Sequence, residues 1–291
     1  MSLTRIWNRN RPSLSFEFYP AHSPKSLANL HKVADKLLEL APDFVSVTFG
    51  AGGSTREGSR ELIAHLVGRS SVPVVGYLAS WGLAARELED LALTWRKLGA
   101  SALFCIRGDV PEDHPCPPHP EGFTHASELI AFLADKVDLP LGGAAYPEGH
   151  VQAASREEDW EWLLHKAVSG TDFIITQYFY DNRDFYAFRE YCRSHGMNKP
   201  ILAGIMPIYH PTLPLPLADK CGATIPRALR EELGRLDPED RPALNTWGVN
   251  LALAQCRDLL TNGVDGLHFY TMDRSLSVLP IVTTLREEGL L

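Results

Sequence analysis

Short apolar runs of strand character alternate along this chain with longer stretches whose apolar residues recur at helical spacing. The runs are "LSFEFY" (14–19), "FVSVTF" (44–49), "VPVVGYLA" (72–79), "ALFCIRG" (102–108), "LGGAAY" (141–146), "FIITQYF" (173–179), "ILAGIMPI" (201–208) and "GLHFYT" (266–271). They are rich in β-branched and aromatic residues and bounded by turn formers, as strands are. Between them, stretches such as "REGSRELIAHLVGR" and "AARELEDLALTWRKLGA" have the helical period. Ser54, three residues before Glu57, has the form of a capping box and is expected to open the second helix. Regular strand–helix alternation implies parallel strands. The pattern therefore predicts an α/β fold, a (β/α)8 barrel in one domain spanning 1–291, with no composition shift to mark a boundary.

The first run carries a question in its parity. Leu14, Phe16 and Phe18 fall on one face, while Ser13, Ser15 and Glu17 fall on the other. A carboxylate is thus expected inside the barrel, just before the strand ends. The rhythm breaks twice. "GDVPEDHPCPPHPEGFTH" (108–125) and "MPIYHPTLPLPL" (206–217) are proline-rich and read as long loops after the fourth and seventh strands. Residues 219–240 read as an extra helical insertion before a long helix beginning around Leu244.

Barrel enzymes place their chemistry at the C-terminal ends of their strands. Here those ends carry Glu17, Thr48, Tyr77, Arg107-Gly108-Asp109, Tyr146, Gln177 and Tyr270. Each has a plainer reading. Glu17 could pair with an arginine, although aromatic neighbours would desolvate it and favour a functional role. Arg107-Gly108-Asp109 could be a tight turn. "FGAGGST" (49–55) is not a dinucleotide fingerprint, because Thr55 stands where its last glycine would fall. Its glycines would still let a flat ligand approach the backbone.

Composition narrows the field. The net charge of −8 and the lack of a basic run disfavour nucleic acid as a partner. No apolar run reaches membrane-span length, and "MSLTRIWNRNRP" lacks the apolar core of a signal peptide, so a cytoplasmic protein is expected. The five cysteines are scattered, which suits reduced thiols used in packing. The 11 histidines show no metal-ligand spacing, so no metal is expected, and most read as surface or supporting groups.

Together, "SFEFYP", "VSVTFGAGGSTRE", "IRGD", "AAYPEGH", "TQYFYD", "GIMPI" and "HFYTMDR" occur in an order and spacing that closely resemble the methylenetetrahydrofolate reductase family. The likeness runs from about Ser13 to Arg274, and its extent resembles the short bacterial form. The resemblance implies a barrel holding FAD at the strand C-termini. It also implies NADH or NADPH as hydride donor, methylenetetrahydrofolate as substrate, and a homo-oligomer. One-carbon supply to methionine is the implied context, with the direction of flow open. Flavin brings the hydride chemistry and the protein brings position and proton control.

Residue by residue, the resemblance implies that Glu17 is the general acid that assists opening of the folate's methylene bridge, and that Asp109 lies beside the flavin and the pterin, binding the pterin and modulating the flavin electrostatically. Thr48 and Gln177 match contacts to nicotinamide or folate, and Arg274 matches a position associated with folate binding. Phe49, Ala51, Arg107, Gly108, Tyr146 and His150 match flavin contacts, with His125 and Ala126 toward the adenosine part. Asp159 and Lys166, seven apart and so on one helix face, match a ribityl contact and a phosphate-binding lysine. Three places depart from the family, one being the single proline after Phe18 where the family motif has two. Tyr77 stands in "GYLAS" where many bacterial members have a flavin-contacting histidine, and 209–217 matches poorly. Other readings are a proline dehydrogenase-like FAD barrel, a metal-dependent barrel lyase or hydrolase, and a flavin-free folate-binding relative.

Overall fold

A computed structural model describes residues 6–7, 11–21, 23–49, 56–110, 115–212 and 214–291. Eight parallel strands close in chain order into a barrel: β1 (Ser13–Phe18), β2 (Phe44–Val47), β3 (Val74–Ala79), β4 (Ala102–Ile106), β5 (Leu141–Ala145), β6 (Phe173–Tyr178), β7 (Ile201–Ile205) and β8 (Gly266–Tyr270). Helices α1 (Pro24–Leu38), α2 (Arg56–Arg69), α3 (Ala85–Leu98), α4 (Ala126–Ala134), α5 (Arg156–Val168) and α6 (Asn182–Ser194) follow the first six strands. After β7 come α7 (Pro214–Cys221), α8 (Arg227–Leu233) and α9 (Arg241–Thr261), and α10 (Ser275–Glu287) follows β8. The predicted (β/α)8 barrel in one domain is what forms. Ser54 and Ala51 lie outside the described residues.

Two details of the sequence reading need correction. The second proline-rich stretch is not all loop, because α7 starts at Pro214. Pro214 and Pro216 fall in its first turn, where a missing N–H costs nothing. The long helix starts at Arg241 rather than near Leu244, with Asp240 accepting from the Ala243 N–H at 3.0 Å as its N-cap.

The barrel is filled in layers. Register puts Ser15 beside both Phe44 and His268, and Gly142 beside both Phe104 and Phe173. Phe44, Phe104, Phe173 and His268, all from even-numbered strands, form one interior layer, as barrels of this class do. Their ring centroids lie 6.0–6.2 Å apart in the pairs Phe104–Phe173, Phe44–Phe173 and Phe44–His268. Gly142 leaves room for this layer, since a Cβ there would sit 2.4 Å from Phe173 and 2.6 Å from Phe104. Trp7 stacks on Phe173 at 4.9 Å. The opposite strand faces bear Phe16, Phe18, Val45 and Phe269, buried against the helices. Above the seventh strand, Tyr178, Met206, Ile208 and Ile225 form a smaller core with α7 and α8.

Candidate active site

Glu17 is the last inward residue of β1 and is only 2 % exposed. The parity read from the sequence is the parity of the structure. Ser15 and Glu17 point inward, and Glu17 sits just above the aromatic layer. Tyr77, inward on β3, stacks on Phe104 at 4.5 Å and donates its phenol hydrogen to Glu17 Oε2. The imidazole of His268 stands on the other side, with Nε2 3.5 Å from the same oxygen. His268 Nδ1 meets Ser15 Oγ at 2.8 Å, while Nε2 has no hydrogen-bond partner among the described residues. The β8 loop braces this group, since Thr271 Oγ1 donates to the Glu17 carbonyl at 2.6 Å and Asp273 Oδ1 accepts from the Tyr19 N–H at 3.1 Å. Met272 and Asp273 take φ of 48° and 53°, a left-handed conformation that non-glycine residues seldom adopt.

A second cluster lies at the ends of β4 and β5. Gly108 has φ +82°, and a Cβ there would come within 2.9 Å of Ala79, so the turn after β4 needs glycine. That turn presents Arg107, whose Nη1 donates to Gln152 Oε1 at 2.5 Å, and the exposed Asp109. Tyr146 packs edge-to-face on His150 at 4.7 Å, and Trp160 Nε1 donates to the Tyr146 carbonyl at 3.1 Å. On α5, Asp159 accepts from the His150 N–H, and Lys166 Nζ donates to the Ala144 carbonyl at 2.8 Å. Burial pushes the His150 imidazole pKa down, and Arg107 and Lys166 push it further the same way, so both cations act on one place. Burial also lowers the Lys166 pKa, opposed by Asp159. His125 caps the start of α4 beside Ala126, with its ring parallel to that of Trp162 on α5, 6.4 Å away.

The remaining candidates ring the mouth. Thr48 and Phe49 are buried just past β2, with the Thr48 carbonyl accepting from Ser59 Oγ at 2.9 Å. Gln177 sits at a register shift in β6, half-buried, with Oε1 accepting from the Tyr178 N–H at 3.0 Å. Arg274, exposed at the start of α10, lies over the ring of Tyr209 in the loop after β7. The structure thus joins Glu17 to Tyr77, and Arg107 to Tyr146, His150, Asp159 and Lys166, while Arg274 stands apart from both.

Sequence reasoning passed over His268 as one of many histidines. Its signal was there in the parity of "GLHFYT", which puts Gly266, His268 and Tyr270 on one face. Tyr209 was passed over because its loop matched the family poorly.

The methylenetetrahydrofolate reductase family model matches residues 2–286. The chain belongs to the methylenetetrahydrofolate reductase family. A 5,10-methylenetetrahydrofolate reductase of Escherichia coli K12 is 31% identical over 273 residues, covering 94% of this chain and 90% of that protein. Methylenetetrahydrofolate reductase (NADH) 1 of Arabidopsis thaliana is 30% identical over 292 residues, 96% of this chain and 49% of that longer protein. Among solved structures, a Clostridium thermocellum protein that binds two copies of 5-methyl-5,6,7,8-tetrahydrofolic acid aligns with a TM-score of 0.67 at 16% identity, covering 98% of this chain and 97% of that one. That likeness is one of fold. Family membership and these relatives support methylenetetrahydrofolate reductase activity. No helix among the described residues is long and apolar enough to cross a membrane.

Proposed function

We propose that this chain reduces 5,10-methylenetetrahydrofolate to 5-methyltetrahydrofolate with FAD and NADH or NADPH, in a ping-pong sequence. The observation that carries the reading is Glu17, a carboxyl buried at the C-terminal mouth of the barrel and held by Tyr77. A folded protein keeps such a group only where function uses it or partners satisfy it. Opening the methylene bridge requires a proton at the departing ring nitrogen, and Glu17 is placed to give it.

The second cluster fits FAD. Arg107 and Lys166 converge on His150, and among the described residues the Lys166 ammonium donates to the Ala144 carbonyl alone, with two further N–H donors that a diphosphate could take. Asp159 would take a ribityl hydroxyl, Tyr146 and Gly108 would border the ring, and Asp109 would lie toward the pterin. His125 and Ala126 would lie toward the adenosine part, and Phe49 would pack against the flavin's edge. Ala51 is proposed there on the resemblance alone. When bound, FAD carries the hydride from nicotinamide to folate. Thr48, Gln177 and Arg274 would orient the reactants that use the mouth in turn.

The test is direct. Purified protein should carry FAD, lose its visible colour on anaerobic addition of NADH or NADPH, and regain it when methylenetetrahydrofolate is added, with 5-methyltetrahydrofolate as product. Recovery of colour with a quinone but not with methylenetetrahydrofolate would turn the reading toward a proline dehydrogenase-like barrel. Folded protein that binds folate but no FAD would make it a flavin-free relative.

A further inference from the structure

We propose that Tyr77 and His268 are positioning residues that fix which oxygen of Glu17 carries the transferable proton. The inference rests on Glu17 being the acid of the proposed reaction and says how it is aimed. A protonated carboxyl has one carbonyl oxygen, which accepts, and one hydroxyl oxygen, which donates. The phenol of Tyr77 donates to Oε2, which makes Oε2 the carbonyl oxygen and leaves the proton to Oε1.

His268 acts in the same sense. Ser15 Oγ has two acceptors in reach, His268 Nδ1 at 2.8 Å and the Leu267 carbonyl at 3.3 Å. When the hydroxyl proton goes to the nearer one, the neutral imidazole carries its own proton on Nε2. That nitrogen is buried, unpartnered, and 3.5 Å from Oε2, so a closure of half an ångström gives it an acceptor. Both donors therefore aim at one oxygen. Backbone register enforces the arrangement, because Ser15 is opposite His268 and Glu17 opposite Tyr270.

Burial pushes the Tyr77 pKa well above the usual phenol value, so its hydroxyl keeps its proton. The other titratable groups facing Glu17 are Tyr270 from β8, Asp273 from the loop after it, and Tyr19 from the rim. Tyr19 is 38 % exposed and also hydrogen-bonds the Glu17 side chain, and because its hydroxyl both donates and accepts it is compatible with a proton on Oε1.

The experiment uses purified holoenzyme. The infrared C=O band of protonated Glu17, assigned by its loss in Glu17→Gln, should rise in frequency in Tyr77→Phe as the carbonyl loses a donor. In stopped flow, Tyr77→Phe should slow reoxidation by methylenetetrahydrofolate about tenfold, the scale of one buried hydrogen bond, and by more than it slows reduction by NADH. In a Glu17→Gln background the same change should cost nothing further, as coupled residues require. His268→Phe, which keeps the ring in the aromatic layer and removes the Nε2 donor, should repeat the band shift. An unmoved band, or an equal cost of Tyr77→Phe with Glu17 removed, overturns the inference while leaving the functional reading intact. A wild-type flavin that methylenetetrahydrofolate does not reoxidise overturns both.

Discussion

The guanidinium of Arg274 lies over the ring of Tyr209, its central carbon 4.1 Å from the ring centroid. The contact ties the loop after β7 to the start of α10. A stacked guanidinium keeps its N–H donors in plane and free for a carboxylate, which lysine could not present in the same way. Tyr209→Phe should therefore behave like the parent, while Tyr209→Ala should raise the KM for methylenetetrahydrofolate about fivefold, equivalent to about 1 kcal/mol of cation–π stabilisation. Reduction by NADH should not change. A KM that responds equally to Phe and Ala would show that the hydroxyl, not the ring, matters.

Lys166 is the group that should distinguish FAD from flavins without a phosphate. Lys166→Met keeps the aliphatic stem and removes the charge. FAD affinity should fall about ten- to a hundredfold, the worth of a charge-assisted hydrogen bond, while riboflavin affinity should not move. Fluorescence titration of both ligands measures this. An equal loss for riboflavin would mean that Lys166 supports the ring pocket through Ala144 instead.

The interior aromatic layer makes a prediction about stability alone. Gly142→Ala forces a methyl to within 2.6 Å of two phenylalanine rings that strands on either side hold in place. Overpacking of this kind costs about 1–3 kcal/mol. Urea unfolding should show that loss with an unchanged m-value. Wild-type stability in the variant would mean that Phe104 and Phe173 can move apart cheaply.

How legible was all this in the sequence? The eight strands were, because a strand buried on both faces must be apolar nearly throughout, and such runs stand out between amphipathic helices. Apart from β3, which ends at Ala79 as read, their C-terminal ends were read one to three residues too long, since Tyr19, Phe49 and Tyr146 are strand formers that the barrel uses just past its ladder. Pro214 and Pro216 hid α7, because proline marks a loop unless its place in a first turn is known. Glu17 was legible from parity alone. Its partners were not, because Tyr77 and His268 reach it from strands 60 and more than 250 residues away in sequence, and only closure of the barrel brings them together. His31 and His65 show the same limit on the outer surface, stacked at 3.7 Å from two different helices.

Asp273 gives the site a pH signature. Burial, with Glu17 nearby, pushes its carboxyl up to about 6, against a partial opposing effect of the Tyr19 N–H. The folded state thus favours the protonated acid. That contribution is fully present below the unfolded value near 3.8 and is lost as pH rises through about 6. Asp273→Asn keeps an acceptor for Tyr19 and removes the titration. Relative to the parent, the variant should gain stability as pH rises from about 4 to about 7, with a ceiling of about 3 kcal/mol. Thermal melts across that range would check it, and a constant difference between the two proteins would remove Asp273 as the titrating group.

Glu17 should separate the two half-reactions. In the proposed reaction the nicotinamide step moves a hydride and needs no acid acting on folate, whereas the folate step needs a proton at the departing nitrogen. Glu17→Gln keeps the size of the side chain and an oxygen for Tyr77 to bond, but has no comparably acidic proton to give. The variant should fold, retain FAD, and be reduced by NADH within about an order of magnitude of the parent, since no acid group acts in that step. Its reoxidation by methylenetetrahydrofolate should fall by roughly 10²–10⁴-fold, the usual contribution of general acid catalysis. Stopped-flow absorbance of the flavin follows each step on its own. Equal losses in both would give Glu17 a structural or cofactor-binding role, and near-normal folate turnover would mean that the proton comes from elsewhere in the mouth.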